Sequence, residues 1–262
     1  MNGLLAALQT ESLKAYRSKI LWVTILIFSF IAMMMGLLVF FASHPELVKN
    51  SAVLRAKATI IGQADWPAYF GLLHLVVAMI GMIGFGFVAS WVFGREYSDH
   101  TIKDLLALPV TRVMIVTAKF IIVAIWSILL SIILFILGLI TGLAVNIENW
   151  SGETAMHAFY IFSVTSVLTI FISTPVAFFA SWGRGYLLPI GYIILTMIIT
   201  QFIIAGIPGL TPYIPWAVPA IYCGAAGPES SNLGIASYII FGLTIILGLI
   251  GTLTWWRYAD QT

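Results

Sequence analysis

Six long apolar blocks, separated by short polar or charged stretches, constrain the fold of this 262-residue chain more than any other feature. Hydrophobic residues make up 61% of the chain and charged residues only 8%, against roughly a quarter charged in a soluble domain. Each block is long enough to cross about 30 Å of hydrocarbon as a helix. The pattern predicts an all-α polytopic membrane protein, a single transmembrane domain over residues 1–262, with spans at about 20–42, 68–92, 113–143, 155–181, 186–207 and 235–256.

Two further segments accompany the predicted spans. Residues 1–19 place three leucines ahead of three basic residues, which predicts an amphipathic helix lying along the lipid headgroups. A signal peptide is the alternative, but the following apolar block is too long for one and offers no convincing small-residue cleavage site. Residues 207–234 are apolar yet contain five prolines, which a continuous span cannot carry. This segment is predicted to form an outer re-entrant hairpin, with a loose outer loop as the alternative.

The basic residues are distributed unevenly between the two sides of the predicted bundle. Three of the twelve, Lys49, Arg55 and Lys57, lie on one side. Because cytoplasmic loops carry an excess of Lys and Arg, the other side is predicted to be cytoplasmic, with both termini inside. The nine basic residues on that side are Lys14, Arg17, Lys19, Arg95, Lys103, Arg112, Lys119, Arg184 and Arg257.

A charged island, residues 93–112, separates spans two and three on the predicted cytoplasmic side. A serine and an aspartate near its start can cap a helix. Ile102, Leu105 and Leu106 then recur at i, i+3 and i+4, and a proline follows that prevents continuation. The island therefore predicts a short amphipathic helix over about 98–108, with an ordinary polar loop as the alternative.

The apolar blocks themselves offer little chemistry. The only Asp, Glu, Lys or Arg in the six predicted spans is Lys119, which is predicted to extend to the membrane interface. The four histidines form no His-Glu-x-x-His pattern, Cys223 has no second cysteine to pair with, and the sequence lacks Gly-x-x-x-x-Gly-Lys-Ser/Thr. These features argue against an enzyme, a metal site and ATP binding by this chain. The net charge of +2 argues against a nucleic-acid partner.

The run from Gly94 to Arg112, followed by Lys119, resembles the cytoplasmic segment of bacterial ABC-2 type transporter permeases, a group that includes bacitracin and lantibiotic resistance permeases. It contains Gly-Arg-Glu, Thr-Ile-Lys, a Leu-Leu pair, Pro-Val and a basic residue before the lysine of the next span, in that order. The six-span layout, the amphipathic start and the outer hairpin also fit the family. The resemblance implies that residues 98–108 form a coupling helix seated on a separate ABC-type ATP-binding subunit. ATP and Mg²⁺ would bind there, with no cofactor on this chain.

The resemblance also implies where a partner would bind. The apolar face of the coupling helix is expected to fill a groove on the ATPase, with charged pairs at the rim. Glu96 is expected to brace the junction of spans two and three with that helix, a solvated charge being the alternative. The residues expected at the partner contact are Arg95, Glu96, Ser98, Asp99, Thr101, Ile102, Lys103, Asp104, Leu105, Leu106, Pro109 and Arg112.

Family members assemble as two permeases and two ATPases, with a substrate path between the permeases that is lined largely by spans two and five. On this sequence the implied path residues are His74 and Phe85 on span two, and Thr196, Thr200 and Gln201 on span five. Packing and interhelical hydrogen bonds are the alternative roles for the polar members of this set.

The resulting expectation is the permease subunit of an ATP-driven exporter in a bacterial cell membrane. It would move an amphipathic or hydrophobic molecule such as a peptide antibiotic and so confer antibiotic resistance. A second permease copy or a related permease, and membrane lipid, are the further expected partners. The alternative is a non-transporting scaffold or sensor that recruits a cytosolic partner through the same island.

Overall fold

The computed structural model describes residues 2–44, 46, 65–102, 110–228 and 233–258. Six helical segments within them are long and apolar enough to cross a membrane, which confirms the all-α, six-span prediction. Two short 3₁₀ helices, Pro208–Tyr213 and Pro215–Ala217, precede α8. The helices are α1 (Asn2–Tyr16), α2 (Lys19–Ser43), α3 (Trp66–Ser98), α4 (Arg112–Ala144), α5 (Gly152–Ile172), α6 (Thr174–Trp182), α7 (Leu187–Gly206), α8 (Val218–Tyr222) and α9 (Ile235–Tyr258).

Polar residues at the boundaries of the apolar blocks determine where four of the spans begin. In each case a side-chain oxygen accepts a hydrogen bond from a backbone N–H in the first turn, which would otherwise lack a partner. These capping residues are Ser18 before α2, Asp65 before α3, Thr111 before α4 and Ser151 before α5.

The central helix of the bundle is α3. It packs against α4, α5, α6 and α7 and is the most buried of the six spans. By contrast, α2, α7 and α9 lie at the periphery and keep wide apolar faces exposed, as helices that face lipid do. The end of α3, where the charged island begins, is therefore attached to most of the bundle.

The fourth span is broken at Ser173, two residues before Pro175. Proline lacks the N–H group that would continue the helical ladder, so the span is interrupted at the junction of α5 and α6. The last span crosses this break closely. A Cβ atom added at Gly248 would lie 2.7 Å from the backbone nitrogen of Pro175, so only glycine permits the contact.

The proline-rich segment after α7 turns back into the bundle. Trp216 packs edge-on against Tyr192, with ring centroids 6.1 Å apart. Tyr192 lies 14 residues before Gly206, the end of α7, which is about 21 Å of helix. Ala217 and Val218 are fully buried, and the irregular backbone is sheltered by α3, α5 and α9. The described part of this segment therefore folds back against the bundle, and we call it the re-entrant segment; its entry into the membrane stays a prediction.

Candidate functional site

The third helix continues beyond the predicted end of span two and stops inside the island. His100 adopts a left-handed conformation with φ of 57°, the N–H of Thr101 donates to the carbonyl of Glu96 at 3.0 Å, and the N–H of His100 donates to the carbonyl of Tyr97 at 3.3 Å. These bonds form a Schellman motif, which ends a helix. Ser98 and Asp99 therefore terminate α3 and do not cap a new helix, contrary to the prediction.

The backbone becomes helical again at Ile102, the last described residue before a gap. The side chain of Ile102 is only 7% exposed and belongs to the main hydrophobic core of this chain. The prediction that Ile102 faces an ATPase is therefore wrong in orientation, because the Schellman turn directs it inward. The remaining predicted contact residues Lys103, Asp104, Leu105, Leu106 and Pro109, and with them most of the predicted coupling helix, lie outside the described residues.

Four buried or half-buried ionic side chains form a closed ring at the base of the island. Lys119 on α4 donates to Glu96 on α3 at 2.8 Å and to Glu11 on α1 at 3.1 Å. Lys14 on α1 donates to the other oxygens of the same two carboxylates, to Glu11 at 2.7 Å and to Glu96 at 3.0 Å. We call Glu11, Lys14, Glu96 and Lys119 the ion ring. It joins α1, α3 and α4, which are far apart in sequence.

Lys119 has no exposed surface, so its ammonium is enclosed by protein groups and does not extend outward as predicted. Its third N–H donates to the carbonyl of Val92 at 2.8 Å, so all three of its donors are used. Lys14 is the exposed edge of the ring. Burial opposes its charge, but the attraction of Glu96 and Glu11 outweighs burial and raises the pKa of Lys14, so it remains protonated at neutral pH.

The ion ring carries two positive and two negative charges, so it is neutral as a unit. Neutrality matters because a single uncompensated charge in a low-dielectric interior costs several kcal/mol. Every member therefore depends on the other three, and moving one helix away would expose an unpaired charge. The ring holds α1, the end of α3 and the start of α4 together as one unit.

A glycine allows a second chain segment to approach the same place. A Cβ atom at Gly94 would lie 3.0 Å from the carbonyl oxygen of Gly185, in the tight turn between α6 and α7. In the Gly94-Arg95-Glu96 run, the glycine thus admits the turn and the glutamate enters the ion ring. Glu96 joins span two to span three through Lys119 and to α1 through Lys14; its predicted contact with the coupling helix stays a prediction.

The last span also ends against this site. Arg112 donates to the terminal carbonyls of α9, at 3.1 Å to Trp256 and 3.4 Å to Arg257. The indole N–H of Trp256 donates to the hydroxyl of Ser181 at 2.8 Å, and its ring lies beside Tyr97. Arg112, predicted as a partner contact, thus also caps the final helix.

The other predicted contact residues lie on the outer edge of the site. Arg95 places its guanidinium over the ring of Trp91, 4.9 Å from the centroid, and 3.9 Å from a carboxylate oxygen of Asp99. Ser98, Asp99 and Thr101 are exposed. The described part of the predicted docking segment therefore presents polar groups at its outer edge.

The predicted path residues divide into two groups. His74 shares a hydrogen bond of 2.9 Å with the carbonyl of Ala158 on α5, and Phe85 stacks on Phe28 of α2. Both side chains are buried in contacts with neighbouring helices, and their role in a path stays a prediction. Their burial in helix contacts matches the packing role that was the alternative for His74.

The predicted path residues of span five lie on α7, near its contact with α3. The amide of Gln201 contacts the sulfur of Met79 on α3 at 3.1 Å, and Thr200 and Gln201 line a cavity of about 20 Å³ with Met79, Met82 and Trp216. Thr196 and Thr200 donate to carbonyls of their own helix. The cavity lies between α3, α7 and the re-entrant segment and has room for about one water molecule.

Sequence reasoning missed two members of the ion ring, Glu11 and Lys14. The sequence feature that could have identified them is Glu11, an acidic residue three positions before Lys14 in a helix predicted to lie against lipid. A carboxylate facing hydrocarbon would be costly, and this indicates that Glu11 needs a buried partner.

These features define a six-span membrane protein in which buried ions bind an N-terminal helix to the base of a charged loop. The sequence profile of the ABC-2 family of transporter proteins matches residues 7–202, which include the whole ion ring. The chain belongs to this family and is a multi-pass transporter permease. It is also similar to the bacitracin transport permease protein BCRB of Bacillus licheniformis, with 29% identity over 187 residues that cover 71% of this chain and 88% of that protein.

Proposed function

We propose that this chain is the membrane subunit of an ATP-driven exporter in a bacterial cell membrane, and that a separate ABC-type subunit binds and hydrolyses ATP with Mg²⁺. The island would dock on that subunit. A second copy of this chain or a related permease would complete the assembly. The similarity to a bacitracin transport permease supports an amphipathic peptide antibiotic as the class of substrate.

The ion ring is the observation that carries this proposal. The segment predicted to dock, about 98–108, includes the Schellman turn that ends α3 just after Glu96. Because Glu96 is bound to both α1 and α4, a displacement of the island would be transmitted to three helices together. A simple polar loop would need no such anchor.

The orientation supports the same assignment. The end of the bundle with the ion ring holds most of the basic residues, including Arg95, Arg112 and Arg184. The positive-inside rule places this end in the cytoplasm, where an ATPase would be found. The re-entrant segment would then enter from the outer side.

The substrate path is proposed to pass between α3 and α7. The contact there is lined by Met79, Met82, Thr200, Gln201 and Trp216, and flexible methionine side chains adapt to ligands of varied shape. A cavity of about 20 Å³ is too small for a peptide, so the path would be shut in this conformation. Alternating access would separate these helices by a rigid-body shift.

Co-purification tests the docking step. The tagged chain is extracted in mild detergent from its own host, and ATP turnover is measured in the eluate with and without amphipathic peptides. We expect an ATPase to co-purify with the wild-type chain. It should no longer co-purify with the double variant Leu105→Asp, Leu106→Asp. Leu210→Asp is the matched control, because this leucine is exposed beyond the opposite end of α7.

Two results would contradict the proposal. An ATPase retained by the double aspartate variant would show that the island does not dock. An ATPase that co-purifies but turns over ATP at the same rate with every amphiphile would favour the scaffold or sensor alternative. ATP-dependent uptake of a labelled amphipathic peptide into inside-out vesicles would establish export.

A further inference from the structure

A groove of about 480 Å³ lies beside the ion ring, between α1 and the end of α3. Lys14 on α1 and Arg17 just after its end line one side, and Trp91 and Arg95 on α3, with Asp99 just after its end, line the other. Its volume falls within the range of roughly 300–1,000 Å³ that is typical of small-ligand sites. The groove is separate from the cavity between α3 and α7 that we assign to the substrate path.

The groove carries an excess of positive charge. The charge of Lys14 is already compensated within the neutral ion ring. Arg17 is exposed and makes no ion pair within the part of the chain that the structure describes. Among the same residues, Arg95 forms an ion pair only with Asp99, whose carboxylate oxygen lies 3.9 Å from the guanidinium. One positive charge therefore remains uncompensated among the groove's described residues, so an anion is the matching ligand.

The start of α2 adds donors at the same place. The hydroxyl of Ser18, which also lines the groove, accepts the N–H of Leu21 and keeps its own proton available for donation. The first N–H groups of a 25-residue helix are directed to this end, and they carry the positive end of the helix dipole. Two guanidinium groups, a hydroxyl and a helix start are the set of donors that binds a phosphate group.

The surroundings of the groove select a lipid as the source of that phosphate. Trp91 forms one wall, and tryptophan is typical of the membrane–water interface. Leu13, Tyr16 and Trp22 are each more than half exposed on the adjoining parts of α1 and α2, so acyl chains find apolar cover next to the charged groups. Soluble anions would gain nothing from these side chains.

We propose that this groove binds the headgroup of an anionic phospholipid, such as phosphatidylglycerol, from the cytoplasmic leaflet. The proposal rests on the orientation given under the proposed function. The lipid phosphate would contact Arg17 and Arg95 and so connect α1 to α3 beside the ion ring. A zwitterionic headgroup is disfavoured because its ammonium group would approach the two arginines.

Native mass spectrometry of the purified full-length chain tests this proposal. The chain is delipidated in detergent and titrated with phosphatidylglycerol or with phosphatidylcholine. We expect one retained phosphatidylglycerol that phosphatidylcholine does not replace. Arg17→Gln and Arg95→Gln should each weaken binding about fivefold, the ratio that corresponds to roughly 1 kcal/mol for one basic residue beside anionic lipid.

Lys19→Gln is the matched control, since this exposed lysine is two residues from Arg17 but does not line the groove. Equal affinity for both lipids, or equal loss in the control and Arg17→Gln, would overturn the proposal. Displacement of the lipid by inorganic phosphate or glycerol 3-phosphate would identify a site for soluble anions instead. The measurement needs no ATPase, so its failure is distinct from failure of the docking proposal.

Discussion

Replacing Lys119 by methionine tests whether the ion ring acts as a unit. Methionine is similar in length and remains apolar, so the change removes the charge with little change in packing volume. Three hydrogen bonds are lost, and Glu11 and Glu96 are left with Lys14 as their only common cation. Breaking a buried ion pair on one side costs about 3–5 kcal/mol, and we expect Lys119→Met to lower the free energy of unfolding by that amount.

The assay is equilibrium unfolding in mixed micelles with increasing sodium dodecyl sulfate, followed by circular dichroism. Glu96→Gln is measured alone and together with Lys119→Met. The single variants leave one excess charge of opposite sign, whereas the double variant leaves the neutral pair of Glu11 and Lys14. The double variant should therefore be more stable than the sum of the single losses by about 0.5–3 kcal/mol. Lys19→Met, on an exposed lysine, should change stability by no more than about 0.5 kcal/mol.

The reasoning is refuted if Lys119→Met costs less than about 1 kcal/mol, the scale of an exposed pair. It is also refuted if the two losses add without interaction, because independent contacts add and a closed ring does not.

Three further changes test the contacts around the ring. Gly94→Ala should destabilise the protein by about 1–3 kcal/mol, because the added Cβ would press on the backbone of Gly185. The control, Gly71→Ala, should be neutral or stabilising, because no atom lies within 4 Å of the added carbon. The same unfolding assay compares the two variants. Arg112→Gln should cost about 0.5–1 kcal/mol in that assay, because the terminal carbonyls of α9 lose a cationic donor. Burial raises the pKa of the Cys223 thiol, so less thiolate is present at neutral pH. Maleimide labelling, followed by mass spectrometry, should therefore be slower than for a free cysteine of pKa about 8.5. Labelling as fast as that of an unhindered thiol would contradict the burial of Cys223.

The number and type of the spans could be predicted from the sequence because the hydropathy of each block alone decides whether it crosses the membrane. The re-entrant segment was equally accessible, since prolines in an apolar stretch exclude a straight helix wherever the segment lies. These predictions depend only on local composition. Neither prediction depends on which helices are neighbours.

The errors arose where neighbours decide the outcome. Lys119 was expected at the interface because the sequence does not show that Glu11 and Glu96 come to it from two other helices. Ile102 was expected to face outward because the periodicity of the island was read without the left-handed residue His100 before it. Which face of spans two and five would line a path could not be decided from the sequence, because the rotation of a nearly uniform apolar helix about its axis is set by packing, which composition does not reveal.

The positions of the two polar features suggest a division within the bundle. The ion ring binds α1, α3 and α4 together at one end, and Gly94 and Arg112 bring the α6–α7 turn and the end of α9 to the same place. The cavity lies elsewhere, where α3 meets α7 through Gln201 and methionine side chains, contacts that are weaker than buried ion pairs. A displacement that enters at the island should therefore leave α1, α3 and α4 in fixed relation and open the contact between α3 and α7. In the proposed mechanism the strongest contacts would transmit the motion, and the weakest ones would separate.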